Sequence, residues 1–225
     1  MAKSKSKSRK SRAGKIWKIL QKDVFDVPSG EDTFNFYRDV DPELDLPEGA
    51  EIRRENLKQY IEQVSESPTT LVVGQSPRWR AGRFTGIPFT SQAQLLRPDF
   101  PVQGRRSSRG PNPLSEKTAT LIWESFLPYH PELFFWHAYP LHAHRLGART
   151  TDRTPTRREM RGFAPVLKEI HDILEPDRVV AVGRSGQTAL DALEIEYAYL
   201  KHPAYGGERA FRRGVRDALE TDDED

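Results

Sequence analysis

The residues of this chain best able to do chemistry fall into four short loops. The first, residues 74–89, reads GQSPRWRAGRFTGIPF and follows the apolar run Leu71-Val72-Val73. A buried strand and a turn account for its start, but not for a long, basic, glycine-dotted loop that closes on an aromatic ring. The second spans His137–Asp152 and sets His137, His142 and His144 close in sequence to the Asp152 carboxylate; imidazole and carboxylate together suit zinc. In the third, Gly183-Arg184-Ser185-Gly186 opens a helix, a geometry in which free backbone N–H groups can cradle a phosphate. The chain contains neither GxGxxG nor GxxxxGK[ST], which argues against a nucleotide-cofactor enzyme. The fourth loop begins at His202-Pro203 and turns through Gly206-Gly207 into an arginine-bearing helix. A histidine leaving a strand is usually structural; this one would face the first loop across a cleft.

These loops need a scaffold that gathers them at one end. Short apolar runs at 69–75, 133–139, 178–183 and 196–202 predict four strands. Helical patterns lie between them. Leu57, Tyr60, Ile61 and Val64 share one face over 55–64. Ser115 suits the N-cap of a helix that turns Ala119, Ile122, Trp123, Phe126 and Leu127 inward. Thr156 and Glu159 have capping-box spacing at the start of a helix running toward Leu174, although Thr154 with Pro155 in the first turn competes, and Pro165 should kink that helix or mark a break. A further helix begins near Ile16, residues 26–52 read as an irregular wrap, Gly183 leads into a turn and helix, and a last helix covers 207–220. Strands alternating with helices predict an α/β fold of three layers, α/β/α, around a central four-stranded parallel sheet. Ligands in such sheets sit at the carboxyl ends of the strands, where all four loops lie.

A chain of 225 residues suits one domain with tails. Residues 1–15, MAKSKSKSRKSRAGK, form a basic tail expected to be disordered; 16–220 form the folded domain; and 221–225, TDDED, form an acidic tail. The basic arm suits a solubilising role, a non-specific nucleic-acid contact driven by counterion release, or both. The absence of cysteine excludes disulfides, thiolate metal sites, iron–sulfur clusters and cysteine nucleophiles, and it fits a reducing cytoplasm. No apolar run approaches the roughly 20 residues that span a membrane, and the N-terminus lacks the apolar core of a signal peptide. A cytoplasmic protein with no membrane partner is expected.

In order along the chain, Gly74-Gln75-Ser76-Pro77, Gly86-Ile87-Pro88-Phe89 and His202-Pro203-Ala204 resemble the two signature motifs of the uracil-DNA glycosylase superfamily. Between them, AYPLHAHRLGARTTDRTPTRREM and VVAVGRSGQTAL are similar to the bacterial branches near its families four and five. The similarity covers residues 65–215. It implies an enzyme that flips a nucleotide out of DNA and hydrolyses the bond between base and deoxyribose. The transition state would be oxocarbenium-like, with negative charge gathering on the departing pyrimidine. By this resemblance His202 donates to the pyrimidine O2, a contact worth about 10²–10³ in rate. Phe89 stacks on the flipped base, and the backbone of Gly74, Gln75 and Ser76 lines the base pocket. Tyr205 stands where relatives push a wedge residue into the vacated stack, although an ordinary turn tyrosine fits equally well. Arg78, Arg83, Arg184, Ser185, Arg209 and Arg212 are candidates for phosphate contacts. The segment PLHAH fits the family pattern without a metal, so the resemblance implies DNA as partner, no metal, no cofactor and a monomer.

Three positions depart from the pattern. Relatives commonly carry Asp or Glu in the first motif, where this chain has Gln75 and Ser76; neither acts as a general base near neutral pH. Many place an asparagine at the end of the second strand to read the uracil edge, and His137 aligns there. The serine after His-Pro is Ala204. Imidazole offers one donor and one acceptor on separate ring atoms, which should change the pyrimidine edge accepted or open room for a 5-substituent. Three explanations stay open: water held by Gln75 or Ser76 without a formal base, a pocket retargeted to another base, or DNA binding without cutting. Asp99 and Asp152 could supply a carboxylate from a neighbouring loop, although Asp152 in TDRTPT also suits a turn or helix entry. No lysine stands out as a Schiff-base nucleophile. The expected function is a monofunctional DNA glycosylase acting on a flipped non-canonical pyrimidine, leaning to a modified base such as hypermodified phage cytosine and hence to defence. The alternatives are uracil removal in repair and a non-catalytic DNA-binding protein on the same fold.

Overall fold

The computed structural model describes residues 11–66, 68–204 and 207–220. Helix α1 (Arg12–Leu20) is capped by Ser11, whose Oγ accepts the Gly14 N–H at 3.1 Å, and it continues as a π-helical turn over Gln21–Phe25. It therefore starts four residues before Ile16, where the folded domain is expected to begin. Lys15 and Lys18 are the solvent side of an amphipathic helix whose Ala13, Ile16, Ile19 and Leu20 are buried. The remainder of that tail, residues 1–10, and the acidic tail 221–225 lie outside the described residues.

After α1 come β1 (Thr33–Phe34), α2 (Gly49–Val64) and β2 (Thr70–Gly74). The long basic loop then holds two single turns, α3 (Gly82–Thr85) and α4 (Gln92–Leu95), before α5 (Lys117–Phe126) and β3 (Leu133–His137). The chain continues through β4 (His142–Ala143), α6 (Arg157–Gly162), α7 (Ala164–Leu174), β5 (Arg178–Val182), α8 (Gly183–Asp191), β6 (Ala198–Leu200) and α9 (Glu208–Leu219). The four-stranded sheet has the order β3-β2-β5-β6 and is parallel throughout, with Val72 level with Phe135 on one side and Val180 on the other. Every residue of β2 and β3 is buried, as strands covered on both faces must be.

Alternation along β3 shows the two layers of cover. Phe134 meets Tyr60 of α2 at 5.8 Å, and the Tyr60 hydroxyl accepts the outward Phe135 N–H of this edge strand at 2.6 Å. Phe135 points the other way, where Trp123 and Phe126 of α5 meet it edge-on at 5.1 and 5.5 Å. Phe126 in turn packs on Phe211 of α9.

Three local expectations change, and the capping box with its break near Pro165 holds. The N-cap of α5 is Glu116 rather than Ser115: its carboxylate reaches the Ala119 N–H at 2.7 Å. Leu127 lies beyond α5 and is 47% exposed, because the chain leaves the helix there for a 3-10 turn. Thr156 and Glu159 form the capping box, and the helix breaks at Phe163 as expected near Pro165, which occupies the first turn of α7, where its missing N–H costs nothing. The wrap at 26–52 ends early, since α2 already begins at Gly49, and it contributes β1 to a small antiparallel sheet with β4.

Candidate active site

Beyond the ends of β2 and β3 the ladder continues. The Ala138 N–H donates to the Gly74 carbonyl at 2.8 Å, and the Tyr139 N–H donates to the Gln75 carbonyl at 3.0 Å. This locks Gly74 level with His137. Residues 135 and 137 share a face of β3, so His137 leaves the sheet on the side covered by α5. Phe89 swings onto the same side, its ring edge-on to Phe135 at 5.5 Å and 4.7 Å from the imidazole of His137. A Cβ on Gly74 would overlap the Phe89 ring, with Cε1 at 2.7 Å and His137 Cδ2 at 3.3 Å. Only glycine at 74 thus leaves room for the outer edge of the Phe89 ring at this strand end. Phe89 itself has φ 55°, a left-handed conformation rare for an aromatic residue. The Gly86 carbonyl in the turn before it is held by the Tyr37 hydroxyl at 2.7 Å.

His137 is 3% exposed, and burial drives its pKa down to about 3. The ring is neutral at physiological pH, with one nitrogen a donor and the other an acceptor. No hydrogen bond to it forms among the described residues. His202 follows β6 and faces the same pocket. The Ala204 N–H donates to its Nδ1 at 3.2 Å. A nitrogen that accepts carries no proton, so the neutral ring holds its proton on Nε2. Burial lowers the pKa of His202, Arg78 adds to the effect and Glu116 opposes it.

The walls of the pocket between these two imidazoles include Phe89, Gln75, Ser76, Arg78 and Glu116. Gln75 is held from α8, its Nε2 donating to Ser185 Oγ at 3.0 Å. An open groove continues from the pocket along Thr154, Arg184, Ser185 and Ala204. At the shared mouth, Arg78 is half-exposed, with Nη2 3.4 Å from Asp152 and Nε 3.7 Å from Glu116. Asp152 also accepts the Trp79 N–H at 2.8 Å and lies 3.3 Å from His142 Nε2. Burial raises its pKa, but these hydrogen bonds and Arg78 outweigh that and hold it below the ordinary carboxylate range. Its contacts make Asp152 a tie for the basic loop. Asp99 pairs with Arg97 on the exposed surface.

The sequence-predicted residues divide accordingly. Gly74, Gln75, Ser76, Arg78, Phe89, His137 and His202 converge on one pocket or its wall, and Arg184 and Ser185 border the adjoining groove. Arg209 is exposed on α9. Arg212 is already paired with Glu124 at 2.6 Å and Glu208 at 3.2 Å. Tyr205 lies outside the described residues. Arg83 is a correction: it is fully buried, ion-paired with Asp45 beside Arg53, with Phe84 and Phe34 against its guanidinium. A phosphate cannot reach it. Its sequence neighbours Gly82 and Phe84 resemble those of a loop arginine, and the buried acid it needs stands 38 residues away. The rings of His142 and His144 lie tilted to each other with centroids 5.5 Å apart, but no group of three or more His, Asp or Glu among the described residues is placed to hold a metal ion. Glu116 was not foreseen as a pocket residue, because Ser115, Glu116 and Thr118 all suit a helix entry and sequence does not say which one turns inward.

A model of the uracil DNA glycosylase superfamily matches residues 61–214. Among solved structures, wild-type SMUG2 of Pedobacter heparinus is similar, with a TM-score of 0.59 over 93% of this chain and 97% of that one at 14% identity; this likeness speaks to the fold. A comparison with curated proteins returned no match. No helix among the described residues is long and apolar enough to cross a membrane. With 154 residues matched from the end of α2 through most of α9, the chain belongs to the uracil DNA glycosylase superfamily and is a DNA glycosylase, a hydrolase of N-glycosyl bonds.

Proposed function

We propose that this protein is a monofunctional glycosylase that removes a modified pyrimidine, such as a hypermodified phage cytosine, from DNA, acting as a monomer without metal or cofactor. The observation that carries the reading is the Ala204 N–H on His202 Nδ1 at 3.2 Å, which presents Nε2–H to the pocket as a fixed neutral donor. The flipped base stacks on Phe89 and meets His137 at its edge. The bond from C1′ to the base nitrogen breaks with its electron pair on the base, and the charge that reaches O2 is met by His202 Nε2–H. Water then adds to C1′ and loses a proton. A preorganised donor aimed at developing charge is commonly the largest single contribution to such a rate. Arg78 and Arg184 hold the strand in the adjoining groove.

What supports a modified base is the chemistry of the pocket wall. Neutral His137 replaces a single amide by a donor and an acceptor on separate atoms, and Gln75 is committed to Ser185. Defence against phage with modified DNA is the biological role that fits. Plain uracil removal is the second reading; the 4.7 Å between Phe89 and His137 favours it, since little width remains beside the ring. Mass spectrometry of bases released from DNAs carrying uracil, hypoxanthine, 5-hydroxymethylcytosine or glucosylated 5-hydroxymethylcytosine separates the two. Release confined to the modified cytosines is expected. Release of uracil alone would make this a repair enzyme, and DNA binding with no release from any of them would leave a binding protein.

A further inference from the structure

Two facts about the pocket are in tension. A cationic sugar develops in the reaction, yet the strand-end residues Gln75 and Ser76 bring no negative charge. Glu116 supplies one from a different element. It stands at the start of α5, its side chain is 12% exposed, and it belongs to the same pocket wall as His202, Ser76 and Phe89. Its two oxygens are used differently. Oε2 is pinned by the Ala119 N–H at 2.7 Å, which fixes the carboxylate in place. Oε1 makes no hydrogen bond among the described residues and only approaches Arg78 Nε at 3.7 Å, which leaves it able to accept from a water.

The charge count at the mouth favours this. Arg78 faces two carboxylates, Glu116 at 3.7 Å and Asp152 at 3.4 Å. His142, the further imidazole on Asp152, is held neutral chiefly by burial. Arg78 is thus shared between two carboxylates and is not committed to Glu116 alone. Asp152 uses Oδ1 on Trp79 N–H and His142 and turns Oδ2 toward Arg78, and it lines neither the pocket nor the adjoining groove, so the carboxylate at the pocket wall is that of Glu116. His202 feels it too, since Glu116 opposes the burial that lowers the pKa of that imidazole.

We infer that Glu116 is the catalytic carboxylate of this glycosylase: it balances the oxocarbenium ion and orients the water on Oε1, taking the proton as the water oxygen bonds to C1′. The inference rests on the glycosylase reading above. Balance is kept: the breaking bond leaves its electron pair on the base, the water oxygen replaces it at C1′, and the water proton passes to Glu116 and then to solvent.

Glu116→Gln is the informative substitution. The amide oxygen still caps Ala119, so the fold is kept while the charge is lost. Single-turnover base release from the DNA that wild type cleaves should fall about 10²-fold or more relative to wild type, with DNA affinity and melting temperature unchanged. Glu116→Asp should recover part of the rate, which a purely structural cap would not require. Full activity in Glu116→Gln while His202→Ala is inactive would overturn the inference and leave the glycosylase reading standing. No release by wild-type protein from any of the four DNAs above would overturn both.

Discussion

Replacing His137 by asparagine should remove a defined part of the protein's sensitivity to acid. Free imidazole titrates near 6.5, whereas burial takes His137 to about 3. Between these values the unfolded chain binds a proton that the folded chain does not. Stability therefore rises with pH across this window; it is fully present above 6.5 and is lost as pH falls toward 3. Each pH unit below 6.5 is worth about 1.4 kcal/mol for one such group, so from pH 7 to pH 5 His137 alone accounts for a loss of about 2 kcal/mol. For a chain of this length that is about 4–8 °C in melting temperature. His142 is depressed in the same direction by burial, but it is present in both proteins and cancels in the comparison. Urea unfolding of wild type and His137→Asn at pH 7 and pH 5 gives the four stabilities. Wild type should lose about 2 kcal/mol more than the variant over that interval, whatever the absolute stability of the variant. Equal losses would refute the burial of a neutral imidazole at the end of β3, and with it the donor–acceptor pair assigned to the pocket.

Other outcomes follow from the same geometry. Gly74→Ala puts a methyl group into the Phe89 ring; the fold should survive while base release drops about 10²-fold through misplacement, and a wild-type rate would show that Phe89 is not needed where it lies. Asp45→Asn leaves Arg53 and Arg83 buried together without their counter-charge, so urea unfolding should reveal a loss of about 3–5 kcal/mol, and unchanged stability would contradict the buried cluster. Arg184→Ala should weaken DNA binding and reduce the salt slope by about one, measured by fluorescence anisotropy across a salt series; an unchanged slope would remove Arg184 from the DNA groove. Because burial and Arg78 depress His202, the rate of base release should stay flat from pH 8 to 6.5, and a fall centred on 6.5 would mean that an ordinary, solvated imidazole does the work.

The scaffold was legible in the sequence because strands buried on both faces must be continuously apolar, as Leu71–Val73 and Val179–Val182 are. Among the pocket residues, His202 was legible from its place at a strand end, whereas Gly74 and Phe89 were found only through their resemblance to the family motifs. Legibility failed where a residue's environment is set by partners distant in sequence. Arg83 sits in a run of exposed arginines, and only the fold brings Asp45 and Arg53 against it. Asp152 resembles a turn former, yet its partners are Arg78, Trp79 and His142. Glu116 was hidden by a different ambiguity. Ser115 is by type the better N-cap, and the geometry of the long loop before α5 decides that the glutamate turns in.

On the proposed mechanism His202, with Nδ1 occupied and Nε2–H toward the pocket, stabilises the departing base. The most direct test is the single-turnover rate of abasic-site formation by wild type and His202→Ala on the DNA that wild type cleaves, with DNA affinity measured alongside. A fall of about 10²–10³ at unchanged affinity is expected. Equal rates in the two proteins would place the chemistry elsewhere and contradict this account of the pocket.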